Sequence, residues 1–402
     1  MSFKVGIVGC GDIAGWNYLP GTHALAGTVD IVATCDAVAD RARSAAAEFG
    51  APGCRAYTSL DEVLADGEVE GVEVLTPWPL HFEMCLRVLE SGRHVYVQKP
   101  MCQHLGDAER LLEAAVQRGV VLMAAPPSMV NPVTLRIASL VREGVLGKVA
   151  MVFCRSSHGG ATGRGRLTDS RWFFMKEAGE WTSLFDMGVY GLHTVTGIIG
   201  PARRVSAFSG TAFPERTFFS PERPEPEPEH ITADDNGMVL LDWGDGTLGC
   251  VDGSFTMIEP STRGLTIYGS KGVITHAGFS TSFRLYQSEA GDRFPRGWCD
   301  VDGEGRLIDP EKLEVSSDGP GPRRVERGRA VSGRRRAPSP DIVHWADCVT
   351  RGTRPLLSAE HAAHVVEIME KAIVASRTGN AQDLTTTFPD PVSRAGGEVK
   401  VA

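Results

Sequence analysis

No stretch of this chain approaches the roughly 20 consecutive apolar residues that span a bilayer, so a membrane-crossing helix is not expected. Positive charge is not in excess. With 41 Lys and Arg against 50 Asp and Glu, the net charge of -9 argues against broad binding to nucleic acid or anionic membranes. The nine cysteines are odd in number and include no Cys-x-x-Cys pair. They read as reduced thiols of a cytoplasmic protein, not as a disulfide framework or a zinc site. No His/Asp/Glu/Cys spacing supports a metal centre. There is no internal repeat, and no signal peptide precedes the strand-like segment that begins at Phe3.

What remains is a chain of ordinary globular composition, 42% hydrophobic and 23% charged, whose 402 residues suggest two domains. Over the first 125 residues, short Val-rich runs alternate with helical patterns. Phe3 to Gly9, Asp30 to Cys35, Gly71 to Leu75, His94 to Val97 and Val120 to Ala124 read as buried strands. Val38 to Phe49, Leu80 to Glu90 and Asp107 to Arg118 read as helices. Such alternation implies a parallel sheet covered on both faces. Pro20 is expected to end or kink the first helix. Pro126-Pro127 marks a boundary, giving domains over 1–125 and 126–402. Beyond the helix-like stretch from Val133 to Glu143, segments such as Gly237 to Asp242, Thr247 to Ser254 and Arg263 to Tyr268 suggest an antiparallel sheet. Residues 214–235 read as irregular, and 280–338 as a turn-rich excursion ending in the Arg-dense run Arg323 to Arg336, taken as a solvated loop. Helices over Pro340 to Arg351 and Ala359 to Arg377 close the chain.

Gly9-Cys10-Gly11-Asp12-Ile13-Ala14 follows the first strand and opens a helix. In this G-x-G-x-x-A pattern the first glycine permits the tight turn and the second admits a pyrophosphate. The small third residue lets helix and strand pack closely, and the helix N-terminus meets the anion. The N-terminal domain is therefore expected to be a Rossmann dinucleotide-binding unit. Asp36, ending the second strand, stands where an acid holds the adenosine ribose hydroxyls and repels a 2′-phosphate, which favours NAD over NADP. FAD is the other candidate occupant, without a second nucleotide fingerprint to support it.

Thr76-Pro77-Trp78-Pro79-Leu80-His81 and Gln98-Lys99-Pro100 each follow a parallel strand, at the ends where such sheets bind ligands. Lys99 is a candidate to exchange a proton with a substrate hydroxyl while hydride moves, provided that burial beside the positive oxidised nicotinamide ring lowers its pKa. The competing reading is a surface lysine before a turn proline. In Asp186-Met-Gly-Val-Tyr190-Gly-Leu-His193, helical spacing puts Asp186, Tyr190 and His193 on one face of an apolar helix. A buried polar stripe asks for a polar ligand. Alternatively, Ser183 caps the helix, Asp186 favours its first turn, and Tyr190 and His193 are satisfied core residues. Trp172, beside Arg171 and Phe173, is a candidate to line a substrate pocket or to belong to an aromatic cluster. Ser157-His158-Gly159-Gly160 reads as a structural loop.

With these motifs in place, the chain resembles the Gfo/Idh/MocA oxidoreductases, whose members include glucose–fructose oxidoreductase and inositol dehydrogenase. The likeness runs from the G-x-G-x-x-A through Thr76-Pro77 with His81, His94-Val-Tyr-Val-Gln98-Lys99-Pro100, Leu146-Gly-Lys-Val149, Asp186-Met-Gly-Val-Tyr190 and Tyr268-Gly-Ser-Lys-Gly272 to Ser376-Arg-Thr-Gly379. It implies a C-terminal α/β domain with a large, mostly antiparallel open sheet that builds homodimers or homotetramers. It also implies an NAD(P)-dependent oxidoreductase acting on a secondary alcohol or ketone carbon of a sugar, cyclitol or similar polyol. Gly9, Gly11, Asp12, Ile13, Asp36, Thr76, Pro77, His81, Gln98 and Lys99 are the expected cofactor contacts. Lys99, Asp186, Tyr190 and His193 are the expected catalytic set, with Trp172 and His193 as substrate contacts. The chain departs from the family's usual Glu-Lys-Pro by carrying Gln98, and its Tyr190 resembles the family's tyrosine branch, where the tyrosine is the favoured proton donor. An NAD-dependent glycoside-cleaving lyase and a non-catalytic dinucleotide-binding regulator are the alternative functions.

Overall fold

In the computed structural model of the protein the structure describes residues 2–160, 169–219, 224–257, 264–278, 280–308 and 337–391. The Val-rich runs near the N-terminus bury both faces, as parallel strands covered by helices do. They are β1 (Phe3–Val8), β2 (Val29–Cys35), β3 (Arg55–Tyr57), β4 (Gly71–Val74), β5 (His94–Val97) and β6 (Leu122–Ala124). All pair in parallel, in the order β3-β2-β1-β4-β5-β6. The chain changes direction across the sheet between β1 and β4, and a crevice opens there beyond the strands' carboxyl ends.

The associated helices are α1 (Leu19–His23), α2 (Ala39–Phe49), α3 (Leu60–Ala65), α4 (His81–Glu90) and α5 (Leu105–Arg118). β3 and α3 go beyond the sequence expectation. β3 is too short and polar to show a period, but α3 carries a readable start signal, the reciprocal capping box of Ser59 and Glu62. Pro20 does not end the first helix. A wide π turn over Ala14–Tyr18 runs without a break into α1, which carries Pro20 near its start and continues to His23.

Beyond the boundary, Asn131 caps α6 (Pro132–Arg142) by accepting from the Val133 and Thr134 N–H groups. Then come β7 (Val149–Arg155), α7 (Val189–Ile199), β8 (Arg204–Gly210), β9 (Glu215–Thr217), β10 (Pro228–His230), β11 (Asn236–Asp242), β12 (Leu248–Asp252), β13 (Gly264–Gly269) and β14 (Gly272–Ala277). β15 (Ser282–Gln287), β16 (Gly297–Asp302), α8 (Pro340–Arg351), α9 (Ala359–Thr378) and β17 (Gln382–Asp383) follow among the described residues.

Nine of these strands form one open sheet, β16-β15-β14-β13-β7-β12-β11-β8-β17. Only β7 and β12 pair in parallel within it; every other neighbouring pair is antiparallel. β15 and β16 lie inside the segment read as a turn-rich excursion, yet they pair over their whole length. β9 and β10 likewise form a small two-stranded ribbon within the stretch read as irregular. The Arg323 to Arg336 run lies outside the described residues.

α9 packs along β8 and α7, covering one face of the large sheet. α8 crosses back to the first domain. Its Trp345 meets Phe3 edge-on at 5.0 Å and Tyr96 at 6.0 Å. Its Asp341, 1% exposed, accepts hydrogen bonds from the hydroxyls of Tyr18 (3.1 Å) and Tyr96. The C-terminal helices therefore brace the underside of the N-terminal sheet.

Candidate active site

The phosphate loop is built on a residue that must be glycine. Gly9 has φ +94°, and a Cβ there would lie 2.8 Å from the Leu75 carbonyl carbon and 2.9 Å from the Thr76 nitrogen. The turn after β1 is thereby pressed against the turn after β4. Asp36 braces the same loop, accepting from the Cys10 N–H at 2.8 Å and the Val38 N–H at 2.9 Å. The Thr76 hydroxyl oxygen is buried and has no hydrogen-bond partner among the described residues. A strained loop held by an acid at the end of β2, with an unanswered hydroxyl at the end of β4, fits a dinucleotide whose phosphates and riboses supply the missing partners.

His81 is not aimed into the crevice. It is 1% exposed, with Nδ1 2.7 Å from the Pro100 carbonyl oxygen and Nε2 2.9 Å from that of Thr76. Burial pushes it down to about 4. It lies between the turn after β4 and the turn after β5, and as a neutral ring it donates to one of these two carbonyl oxygens. Gln98, 6% exposed, donates to the Tyr18 hydroxyl and thereby joins the Tyr18–Tyr96–Asp341 network beneath the sheet. Burial raises both phenols well above their usual range, so both hydroxyls keep their protons at neutral pH, and it raises the Asp341 carboxyl as well.

Lys99 and Asp186 meet across the two domains. Lys99 Nζ donates to the Asp186 carbonyl oxygen at 2.9 Å and pairs with its Oδ1. Each side chain is only 10% exposed. The Tyr190 ring lies 5.1 Å from the Lys99 ammonium. Burial opposes the charge on Lys99, but the carboxylate and the phenol outweigh it, and its pKa is raised. Burial by itself therefore does not lower Lys99: the ion pair with Asp186 outweighs it.

Asp186 sits in a wide π turn, Leu184–Gly188, which leads into α7. Ser183 does not cap that turn with its side chain; its hydroxyl donates to the Gly253 carbonyl at 2.6 Å. His193, further along α7, is 5% exposed and packs on His361 of α9 at 4.8 Å. Burial and the neighbouring His364 push it down to about 3, the state of a neutral core imidazole.

The structure brings a residue to this site that was read as part of a structural loop. His158, after β7, has its Nε2 3.8 Å from Asp186 Oδ2. Trp172 stacks on Phe173 at 3.9 Å, and Trp78 meets it edge-on at 4.5 Å. This aromatic group borders a cavity of about 530 Å³ lined by Pro77, Pro79, Arg171, Trp172 and Met175. Trp172 is thus both a cluster member and a pocket wall.

Comparison with known proteins places this geometry in a family. Residues 3–125 match the Gfo/Idh/MocA "oxidoreductase family, NAD-binding Rossmann fold", and residues 134–275 match the same family's C-terminal domain, together about two thirds of the chain. The chain belongs to the Gfo/Idh/MocA oxidoreductases. It is 23% identical over 415 aligned residues to D-apiose dehydrogenase of Paraburkholderia graminis, covering 99% of this chain and 95% of that one. It is 30% identical to a dTDP-3,4-didehydro-2,6-dideoxy-alpha-D-glucose 3-reductase of Streptomyces violaceoruber over 51% of this chain and 56% of the relative. The chain spans about half the length of several curated relatives that it matches. Levoglucosan dehydrogenase, solved with NADH and levoglucosan, superposes with a TM-score of 0.74 over 96% of this chain and 100% of that one; at 17% identity the likeness is one of fold.

Proposed function

We propose that this Gfo/Idh/MocA oxidoreductase transfers hydride between NAD and a secondary alcohol or ketone carbon of a sugar, cyclitol or similar polyol. The observation that carries this reading is the buried Lys99–Asp186 pair, with Tyr190 against the lysine, at the carboxyl end of β5 in an NAD-binding domain. Bound nicotinamide would accept or supply the hydride. Lys99 stays charged beside Asp186, so it donates a hydrogen bond or a proton to the substrate oxygen during reduction and stabilises the developing alkoxide during oxidation. Asp186 orients the ammonium, and Tyr190 offers a second hydroxyl for the same proton traffic. His193 is left out of this set because its ring is packed against α9. Asp36 gives the preference for NAD over NADP. The names of D-apiose dehydrogenase and levoglucosan dehydrogenase support the sugar-like substrate class.

We place the enzyme in the cytoplasm as a homodimer or homotetramer. All nine cysteines are unpaired. The outer face of the large sheet exposes Met151, Phe153, Phe208, Met238, Leu240 and Leu248, an apolar surface suited to a second copy of the chain.

A panel of sugars, polyols and cyclitols tests the function, scored for nicotinamide absorbance and for glycoside cleavage together. Cofactor reduction coupled to alcohol oxidation is the expected result. Cleavage without net cofactor reduction overturns it in favour of the lyase, and dinucleotide binding with no turnover points to the regulator.

A further inference from the structure

Arg216 stands on β9, in the small ribbon outside the nine-stranded sheet, yet its side chain is only 11% exposed. Its partner Asp235 is 1% exposed, with Oδ2 2.6 Å from Arg216 Nη2. Taking such a pair out of water costs about as much as its attraction returns, so stability is a poor reason to keep one. The Arg216 Nε is also buried without a hydrogen-bond partner among the described residues. What the guanidinium does fix is a set of backbone positions. Nη2 donates to the Phe255 carbonyl at 3.0 Å, and Nη1 donates to the Gly159 carbonyl at 3.2 Å. The guanidinium carbon lies 5.5 Å from the centre of the Phe174 ring.

Those positions frame one imidazole. Gly159 follows His158, and Phe255 is the fully buried ring on which His158 stacks, with centroids 5.5 Å apart and planes 14° from parallel. Gly160 has φ +88°, and a Cβ there would lie 2.9 Å from the Phe174 ring and 3.3 Å from Phe255 Cβ. The loop is therefore wedged between two phenylalanines that Arg216 contacts. Within it the Gly160 N–H donates to His158 Nδ1 at 2.8 Å, so the proton of the neutral ring is on Nε2. Nε2 lies 3.8 Å from Oδ2 of Asp186, the carboxylate whose Oδ1 pairs with Lys99. At that distance the N–H dipole, or the charge of the protonated ring, acts on Asp186 through its field. It draws on the negative charge that holds the Lys99 ammonium. Displacing the imidazole therefore changes the grip of Asp186 on Lys99.

We propose that Arg216 is a positioning residue of the active site: from the β9–β10 ribbon it holds His158 against Asp186 and thereby sets the Lys99–Asp186 pair for proton transfer. The same ribbon reaches the wall of the neighbouring cavity, where Glu229 of β10 pairs with Arg171 at 2.8 Å. The hydrogen bonds of Arg216 all go to the C-terminal domain, so cofactor affinity is independent of it. The inference rests on the hydride-transfer reading above and goes beyond it by assigning a residue that orders the site from outside the large sheet.

The test variant combines Arg216→Met with Asp235→Asn, which removes both charges and leaves no orphaned buried carboxylate. Arg216→Lys is made beside it, because an ammonium keeps the charge for Asp235 but lacks the fork that bridges two carbonyls. The first readout needs no turnover. It is the ring resonance of His158 in proton–carbon NMR, assigned by its loss in His158→Phe and sensitive to the stack on Phe255. The second is kcat with NAD and whichever compound of the sugar, polyol and cyclitol panel wild type turns over fastest, measured in the wild-type and His158→Phe backgrounds. In the double variant the resonance is expected to shift and kcat to fall about 10–100-fold, the scale of misplacement near an ångström, with NADH affinity unchanged. Arg216→Lys falls between it and wild type. In the His158→Phe background the same substitutions are expected to cost less than about twofold, because the residue through which they act is gone. An unmoved resonance in the folded variant overturns the proposal, and so does an equal loss of kcat in both backgrounds; hydride transfer stands in either case. If the double variant does not fold, Arg216→Lys decides by the same two criteria. A wild type that binds NADH but turns over no compound overturns the redox reading, and the resonance alone then decides whether Arg216 holds His158.

Discussion

Glu73 is the least expected charge in the N-terminal sheet. It stands on β4 and is fully buried, between β1 and β5. Its Oε1 accepts from the Thr22 hydroxyl at 2.9 Å, while its Oε2 has no hydrogen-bond partner among the described residues. Burial, with Asp341 nearby, raises its pKa from the ordinary 4.5 to about 8. The folded state thus holds its proton more tightly than the unfolded state does. The stability this confers is complete below the unfolded value and is lost as pH climbs from about 4.5 towards 8. At about 1.4 kcal/mol per pH unit, and allowing for the curvature at both ends, the loss between pH 5 and pH 8 is about 3–4 kcal/mol. Glu73→Gln keeps an acceptor for Thr22 and removes the titration. Urea unfolding of both proteins at pH 5 and pH 8 measures the effect, since the remaining ionisable groups cancel between them. Near-equal stability at pH 5 and a more stable variant at pH 8 are expected. Parallel pH dependence of the two proteins would refute the buried, protonated carboxyl.

The remaining predictions concern the site and the sheet. Lys99→Met is expected to lower kcat by about 10²–10⁴, the scale of one lost proton donor, with NADH affinity unchanged in a fluorescence titration. Wild-type turnover would remove Lys99 from the chemistry. Asp36→Ala is expected to weaken NADH binding and to narrow its advantage over NADPH, checked by titrating both; an unchanged ratio would reassign Asp36 to bracing the loop alone. Phe208→Asp, at a position 73% exposed on β8, is expected to reduce the molar mass seen by light scattering. An unchanged mass would move the interface elsewhere.

Much of the fold was legible because period and punctuation agree. Five of the six parallel strands show as Val-rich runs, and the last two helices begin with Ser339-Pro340 and Ser358 and end at Gly352 and Gly379, both in left-handed conformation. What stayed hidden was non-local. β15 has the alternating burial of a strand, but its partner β16 follows a Gly/Asp/Arg-rich turn, and nothing in either segment alone announces the pairing. Asp341 reads as an ordinary first-turn acid of α8. Only the packing of α8 on the N-terminal sheet reveals it as the acceptor for Tyr18 and Tyr96.

The candidate site shows why helical spacing misleads at such places. On a regular helix, residues i, i+4 and i+7 share a face, and that alignment puts Asp186, Tyr190 and His193 together. The π turn over Leu184–Gly188 inserts extra arc between Asp186 and the rest of α7. Tyr190 lies close enough to the turn for its ring to reach Lys99. His193, one turn later, is carried towards α9 and His361. The imidazole that does reach Asp186 comes from the end of β7, through a loop whose anchors, Asp252 and Ser254, are nearly a hundred residues away in sequence. Local periodicity identifies an acid on a buried helix start. Which histidine faces that acid is decided by a wide turn and by a β-strand partner, and both are properties of the assembled sheet.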